Sequence, residues 1–334
     1  MPDFTVFKGA KDGSPFKTTT SKPDGLTGDQ VVVRVTASGV CGTDLHYKHA
    51  DMVLGHEGVG VVEELGPDVK YLKKGDRVGW GYETNSCGHC AACVSGQEMS
   101  CPERSLYGFA NHDQGSFSSH AIWREAFLHP IPDGINDEHA APLQCAGATV
   151  FTALYDVKPT ETVGILGVGG LGHLAIQFAA KMGCRVVVLS GSDRKREQAK
   201  ALGAHRFIVL NKGKGKAPEE GEPWLLSRLL VTTSAQPDWE AIIPMMAPQG
   251  RIWPLSVDAG NLVIPYMSLL AGAIRIQGSL GSTRTVHRDM LAFAARHGIN
   301  PVIEKFPMTE DGIKEAMEKL EKGDVHYRAV LVAQ

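Results

Sequence analysis

The chain has 334 residues, enough for two domains with separate hydrophobic cores. Hydrophobic residues make up 43% and charged residues 21%, and the net charge of −3 is spread along the chain. That balance excludes a basic nucleic-acid face or a membrane-surface face, and the longest apolar runs, 59–62 and 186–189, are far too short to span a bilayer.

In chain order, the N-terminal MPDFTVFKGAKDG lacks the apolar stretch of a secretion signal, so a cytoplasmic location is expected. A reducing compartment would leave the seven cysteines free for metals or catalysis. Up to about residue 140 the runs GDQVVVRVTA, EGVGVVEELG, KGDRVGWGYE and GSFSSHAIW read as short strands between Gly, Pro and Asp turns. From Gly147 the pattern changes. GATVFTALYDV reads as a helix, TVGILG as a buried strand, GVGGLGHLAIQFAAKMG as a turn with an amphipathic helix, and RVVVLS as the next strand. SDRKREQAKALGA and RFIVL follow as helix and strand, and the alternation continues through WLLSRLLVTT, DWEAIIPMMAPQ, GRIWPLS and IRIQGSLG. Such βαβ alternation implies an open sheet of parallel strands. TVHRDMLAFAARHG and TEDGIKEAMEKLEKGD read as the last helices and YRAVLVA as a final strand, while the polar loop 211–223 reads as solvated surface.

Four of the cysteines fall in SCGHCAACVSGQEMSCP, as Cys87, Cys90, Cys93 and Cys101. Four thiolates held this close form a tetrahedral sulfur cage that suits zinc, leaves no position for substrate, and therefore pins a loop. An iron–sulfur cluster is the competing reading, although no further redox motif accompanies it. The turn Gly167-Val168-Gly169-Gly170-Leu171-Gly172 supplies G-x-G-x-x-G between a strand and a helix, the context that binds a dinucleotide. Gly167 permits the tight turn, Gly169 lets backbone approach a pyrophosphate, and Gly172 lets the helix pack on the sheet. The helix N-terminus adds amides and positive dipole, with Gly170 and Leu171 in the same cradle. After the next strand comes Ser190-Gly191-Ser192-Asp193-Arg194-Lys195-Arg196, where an NAD site would carry an acid for the ribose. Ser190 and Ser192 as donors and Arg194 or Lys195 as charge partners favour a 2′-phosphate, hence NADP(H), with Asp193 as a helix cap.

With these features in place, VCGTDLHYKHADMVLGHEG at 40–58 is no longer a neutral loop. Together with GHEGVGVVEELG, the cysteine cluster, PLQCAGATVFTAL, LVTTSAQPDW and IRIQGS, it resembles the zinc-dependent medium-chain alcohol dehydrogenases, particularly their cinnamyl-alcohol-dehydrogenase-like branch. The resemblance covers almost the whole chain. It implies an α/β protein: a GroES-like β-barrel catalytic domain with a structural-zinc lobe, at 1–146 and 289–334, and a Rossmann doubly wound parallel-sheet cofactor domain at 147–288. It implies a catalytic zinc held by Cys41, His56 and Cys145, with Glu57 as alternate ligand or close neighbour, so two zinc ions per chain. Three protein ligands leave a fourth position open, as Lewis-acid catalysis needs. Asp44 fits a carboxylate that orients His56. Thr43 and His46 match the proton relay by which an alcohol sheds its proton as hydride leaves its carbon. Ser279, in IRIQGS, and Arg328, in HYRAVL, match cofactor contacts, Arg328 reaching the pyrophosphate from the other domain. The chemistry implied is hydride exchange between NADP(H) and an alcohol or aldehyde at the cleft between domains, in a homodimer or homotetramer, with no nucleic acid or membrane partner.

One departure stands out. Beyond Leu45 only HYKHADMVL, residues 46–54, separates the Cys41–Asp44 turn from Gly55, where relatives carry more residues at the mouth of the substrate pocket. The expectation is a wider mouth and tolerance of bulky, aromatic aldehydes, with Trp80 and Tyr82 as candidate lining residues. A polyol or sugar dehydrogenase, a zinc-free quinone or enoyl reductase, and a non-catalytic NADPH sensor are the rival readings; Cys41, His56 and Cys145 together argue against the zinc-free one.

Overall fold

The computed structural model describes residues 3–21, 25–210, 224–258 and 260–334. The loop 211–223 lies outside the described residues. The chain forms two compact units, one from Met1–Ala148 with Gly281–Gln334 and the other from Thr149–Leu280. The first unit therefore takes up the chain again at Gly281, ahead of the helix Arg284–His297, where the sequence suggested a return at 289. Thr283 caps that helix through its side chain and Gly298 ends it in the left-handed region, both ordinary helix-end chemistry.

The first unit is built on one sheet, in the order Ile303–Pro307, Arg328–Val332, Gln30–Val40, Gly58–Leu65, Arg77–Trp80, His129–Pro130, with His120–Arg124 also paired to Gln30–Val40. The eleven-residue strand Gln30–Val40 is the hub, since it pairs three neighbours and buries both faces of its valines. Val31, Val33, Val35, Trp80, Trp123 and Phe127 fill the core beside it. Trp80 is fully buried against Trp123, with ring centroids 5.6 Å apart. Trp80 is therefore core packing and not a pocket-lining residue: strand alternation sends Gly79 and Gly81 to the other side and Trp80 inward. The helix Glu310–Lys322 lays Ile313, Ala316 and Met317 on this core, capped by Thr309 and Gly323. Elements beyond the expected set include the hairpin Asp3–Lys8 with Phe16–Ser21, the helix Asp137–Pro142, the strand Ile303–Pro307 and, in the other unit, the helix Tyr266–Gly272.

The second unit is a six-stranded sheet in the order Arg206–Val209, Arg185–Ser190, Thr162–Leu166, Leu226–Val231, Met246–Pro254, Arg275–Ile276, every pair parallel. Numbered along the chain, that is the 3-2-1-4-5-6 order of the Rossmann fold. The order reverses beside Thr162–Leu166, so the strand leading into the glycine turn sits at the switch point where such sheets bind ligands. All five of its residues are buried, as expected of a central parallel strand. Among the described residues no helix is long and apolar enough to cross a membrane.

The turn constrains its own glycines. Gly167 has φ +94°, and a Cβ on Gly172 would overlap the Gly167 carbonyl. Gly172→Ala is expected to lower stability by about 1–3 kcal/mol through overpacking. Urea denaturation checks it; an unchanged midpoint would mean the turn has slack.

Candidate functional site

Cys41 ends the strand Gln30–Val40 and opens the short helix Gly42–His46, whose first turn brings Asp44 back beneath it: the Cys41 amide donates to Asp44 Oδ2 at 2.9 Å. His56 and Glu57 lie just before the neighbouring strand Gly58–Leu65, and Cys145 sits in a π-helical turn, Leu143–Gly147. The side-chain donor atoms of Cys41, His56, Glu57 and Cys145 all lie within 4.8 Å of one another. These four come from positions up to 104 residues apart, since 145 − 41 = 104.

The set is arranged as a cation cradle. His56 Nδ1 bonds Asp44 Oδ1 at 3.0 Å, which turns its other ring nitrogen, Nε2, toward the thiols; that nitrogen is buried and has no hydrogen-bond partner among the described residues. Glu57 Oε1 is likewise buried and without a partner among the described residues, while Oε2 is paired with Arg328 Nη2. Burial raises the Glu57 carboxyl to about 7 against the pull of Arg328. The Cys41 thiol is held well below its ordinary value, first by a hydrogen bond from Cys145 and then, against burial, by His56. Two sulfurs, an orphaned imidazole nitrogen and a spare carboxylate oxygen match the donor set that zinc takes. Tyr107 completes the support: its hydroxyl donates to Asp44 Oδ1 at 3.1 Å and accepts from the Gly55 amide at 2.9 Å, and its ring lies 4.9 Å from that of His56.

Around this cluster, Thr43 is half-buried and His46 exposed, three positions apart on the same short helix. Tyr82 is half-buried and edge-on to His56 at 5.7 Å, and the Tyr47 ring lies edge-on to Tyr107 at 5.5 Å. Arg328, expected at a cofactor pyrophosphate, is buried with its guanidinium on Glu57. His49 is exposed, its Nδ1 3.1 Å from the Lys11 carbonyl.

The second cluster holds Cys87, Cys90, Cys93 and Cys101, again with every sulfur within 4.8 Å of the others. Cys87 and Cys93 are 3.9 Å apart, close to the roughly 3.8 Å that a tetrahedron with 2.3 Å zinc–sulfur bonds requires. The loop is local. Cys90 caps the one-turn helix Ala91–Val94 that carries Cys93, and Cys101 follows the turn Glu98–Ser100. Buried Glu98 ties this loop to the Arg284–His297 helix, accepting from the Arg284 amide at 2.6 Å and from its Nε at 3.2 Å.

In the other unit the glycine turn is open where a ligand would approach: a Cβ on Gly169 would meet nothing within 4 Å. Gly170 and Leu171 precede the ten-residue helix Gly172–Lys181. Ser190 ends the next strand and accepts from the Ser192 amide at 3.4 Å; Arg194 is exposed. Lys195 donates to the Val168 carbonyl at 2.8 Å, so it staples the glycine turn from the neighbouring segment. Ser279 Oγ is buried and without a partner among the described residues. Tyr107, Tyr47, Glu98 and Arg284 escape a reading of the sequence because their partners are distant in the chain and no local spacing marks them.

Residues 27–133 match the alcohol dehydrogenase GroES-like domain and residues 170–296 the zinc-binding dehydrogenase domain. An alcohol dehydrogenase of Geobacillus stearothermophilus is 35% identical over 90% of this chain and 91% of its own length. An aldehyde reductase of Synechocystis sp. is 35% identical over 92% of this chain and 93% of its own. The solved structure of a cinnamyl alcohol dehydrogenase from Sorghum bicolor superposes with a TM-score of 0.89 at 32% identity, covering 99% of this chain and 97% of that one.

Removing the guanidinium leaves Glu57 alone in the interior. Arg328→Met is expected to destabilise the fold by roughly 3–5 kcal/mol, and the double variant with Glu57→Gln to recover most of that. Equal losses in both variants, by thermal or urea unfolding, would assign Arg328 to packing alone.

Proposed function

The chain belongs to the zinc-dependent medium-chain alcohol dehydrogenases, in their cinnamyl-alcohol-dehydrogenase-like branch, and from that premise we propose that it interconverts a primary alcohol and its aldehyde with NADP(H) and zinc. The observation that carries the proposal is the buried cluster of Cys41, His56, Glu57 and Cys145 with the His56 Nε2 left bare. Cys41, His56 and Cys145 are its zinc ligands, Glu57 stands by as an alternate, fourth ligand through a carboxylate oxygen, and Cys87, Cys90, Cys93 and Cys101 hold a second, structural zinc. Bound at these residues, zinc supplies Lewis acidity toward the substrate oxygen and NADP(H) supplies or takes the hydride.

The chain's own residues do the rest. Asp44 fixes the His56 ring, so the imidazole meets its partner at a set angle without reorganising. The Thr43 hydroxyl and the exposed His46 imidazole provide the path by which the alcohol proton reaches solvent, and returns when an aldehyde is reduced. Gly167 to Gly172 and the following helix cradle the pyrophosphate. Ser190, Ser192 and Arg194 bind the 2′-phosphate, Ser279 adds its free hydroxyl to the cofactor site, and Lys195 holds the turn while adding charge. Arg328 neutralises the buried Glu57 carboxylate within the first unit. The rings of Tyr82 and Tyr47, beside the short 46–54 segment, support bulky aromatic aldehydes as substrates.

Assembly into a homodimer or homotetramer is supported by the sheet edge at Arg275–Ile276, around which Val263, Tyr266, Met267, Leu270 and Leu280 are exposed. A second copy meeting this edge about a two-fold axis would cover them.

A coupled NADPH and NADH assay across aliphatic, aromatic and sugar-derived aldehydes tests the activity. NADPH-dependent reduction with higher kcat/KM for aromatic aldehydes is expected; equal or higher values for small aliphatic ones would sink the substrate reading. Arg194→Ala should lower the NADPH preference about 10- to 100-fold, whereas Lys195→Ala should weaken both cofactors because it also frees the glycine turn. No change in either would remove the 2′-phosphate site from this segment. For assembly, Tyr266→Lys with Leu270→Glu should give a monomer by light scattering; an unchanged mass would place the interface elsewhere.

A further inference from the structure

Behind Cys145 lies a buried polar group that neither the metal cluster nor the cofactor turn uses. Gln144, His129 and His287 are 2–4% exposed and come from three separate parts of the chain. Gln144 Nε2 donates to the Ala140 carbonyl at 2.9 Å, so its Oε1 is the atom that faces His287, at 2.9 Å from Nε2. An amide oxygen only accepts, which makes His287 the donor and fixes its tautomer. The His129 ring stacks on that of His287 with centroids 3.9 Å apart and planes at 16°. Burial lowers the His287 imidazole to about 3 and the His129 imidazole well below its usual range, so both rings are neutral.

The surroundings are cut to fit. A Cβ on Gly79 would come within 2.5 Å of the Gln144 amide carbon, and one on Gly81 within 2.5 Å of the Gln144 carbonyl and 3.5 Å of the His287 ring. His287 itself is a fixed post, because its helix begins at Arg284, which Glu98 holds at both backbone and side chain. The π-helical turn Leu143–Gly147 is a local departure from the α-helical ladder, of the single-turn kind often found at functional sites. A side chain that anchors residue 144 therefore sets where the sulfur of residue 145 points.

The geometry points to Gln144 and His287, with His129 stacked behind, as positioning residues that hold the Cys145 sulfur in register with Cys41 and His56. This rests on the reading of that cluster as a metal site. It predicts that the metal affinity of the cluster is set partly by a hydrogen bond that touches no ligand atom.

The test uses the full-length protein loaded with cobalt(II) in place of zinc, and the difference spectrum against Cys145→Ser isolates the site. Gln144→Leu and His287→Phe, the latter keeping a ring to stack on His129, should weaken metal binding at this cluster about 10- to 100-fold and alter the thiolate-to-cobalt band, while the four-cysteine site keeps its metal. His287→Gln, which restores an N–H donor, should recover part of the affinity. The double variant Gln144→Leu/His287→Phe removes both polar partners and so keeps the fold near wild-type stability, yet should still bind metal weakly. Wild-type affinity and spectrum in the double variant would overturn the inference and leave the proposed activity standing. Absence of a cobalt spectrum at this site in the unaltered protein would overturn both.

Discussion

The first unit is organised around a charge problem. Asp44, Glu57, Cys41 and Cys145 gather acidic groups in an interior where an unpaired charge costs several kcal/mol. Among the described residues Arg328 answers them with a permanent positive charge, and it arrives from the last strand of the chain. The register makes this possible: Ala329 pairs with Val40 on one side of the hub strand and Gly58 with Ser38 on the other, so Arg328, Cys41 and Glu57 meet at one end of three adjacent strands. Gly39 belongs to the same solution, since any side chain there would overlap the Glu57 carboxylate. One arginine does not balance the set. The remaining bare groups, His56 Nε2 and Glu57 Oε1, converge with the two sulfurs on the space a divalent cation would fill.

What could be read from the sequence divides along physical lines. The four-cysteine loop and the glycine turn are local, closed within about fifteen and six residues of chain, and their chemistry follows from residue type and spacing. The parallel sheet of the second unit is also legible, because alternating strands and helices leave few handed ways to connect, while its 3-2-1-4-5-6 order comes from the structure. The other cluster needed the family resemblance to bring Cys145 to Cys41, because nothing near Cys145 in the sequence sets it apart from a core thiol. Support by long-range partners was not legible at all. Tyr107 reaches Asp44 across 63 positions and Arg328 reaches Glu57 across 271, distances over which pattern carries no information. Trp80 shows a related ambiguity: by position an aromatic residue near a turn can line a pocket or pack in the core, and its burial against Trp123 shows it to be core.

The same contrast holds around the proposed metal cluster. Asp44 steadies Cys41 from within the same short helix, whereas His56 is steadied by Asp44, itself held by Tyr107 from 63 positions away, and Gln144 is held by His287 from 143 positions away. Pre-set donors of this kind bind a metal without reorganising, which favours both affinity and a defined open position. The glycine turn shows the parallel arrangement, with Lys195 holding the Val168 carbonyl and Thr232 the carbonyl of Leu166.

The central claim is that two metal sites of different kind are built into one chain. Native mass spectrometry of the purified protein with elemental analysis tests it directly. The account predicts two zinc ions per chain in the unaltered protein, one in Cys145→Ser with its aldehyde reduction abolished, and the fold retained. A single zinc in the unaltered protein, or two in Cys145→Ser, would contradict it.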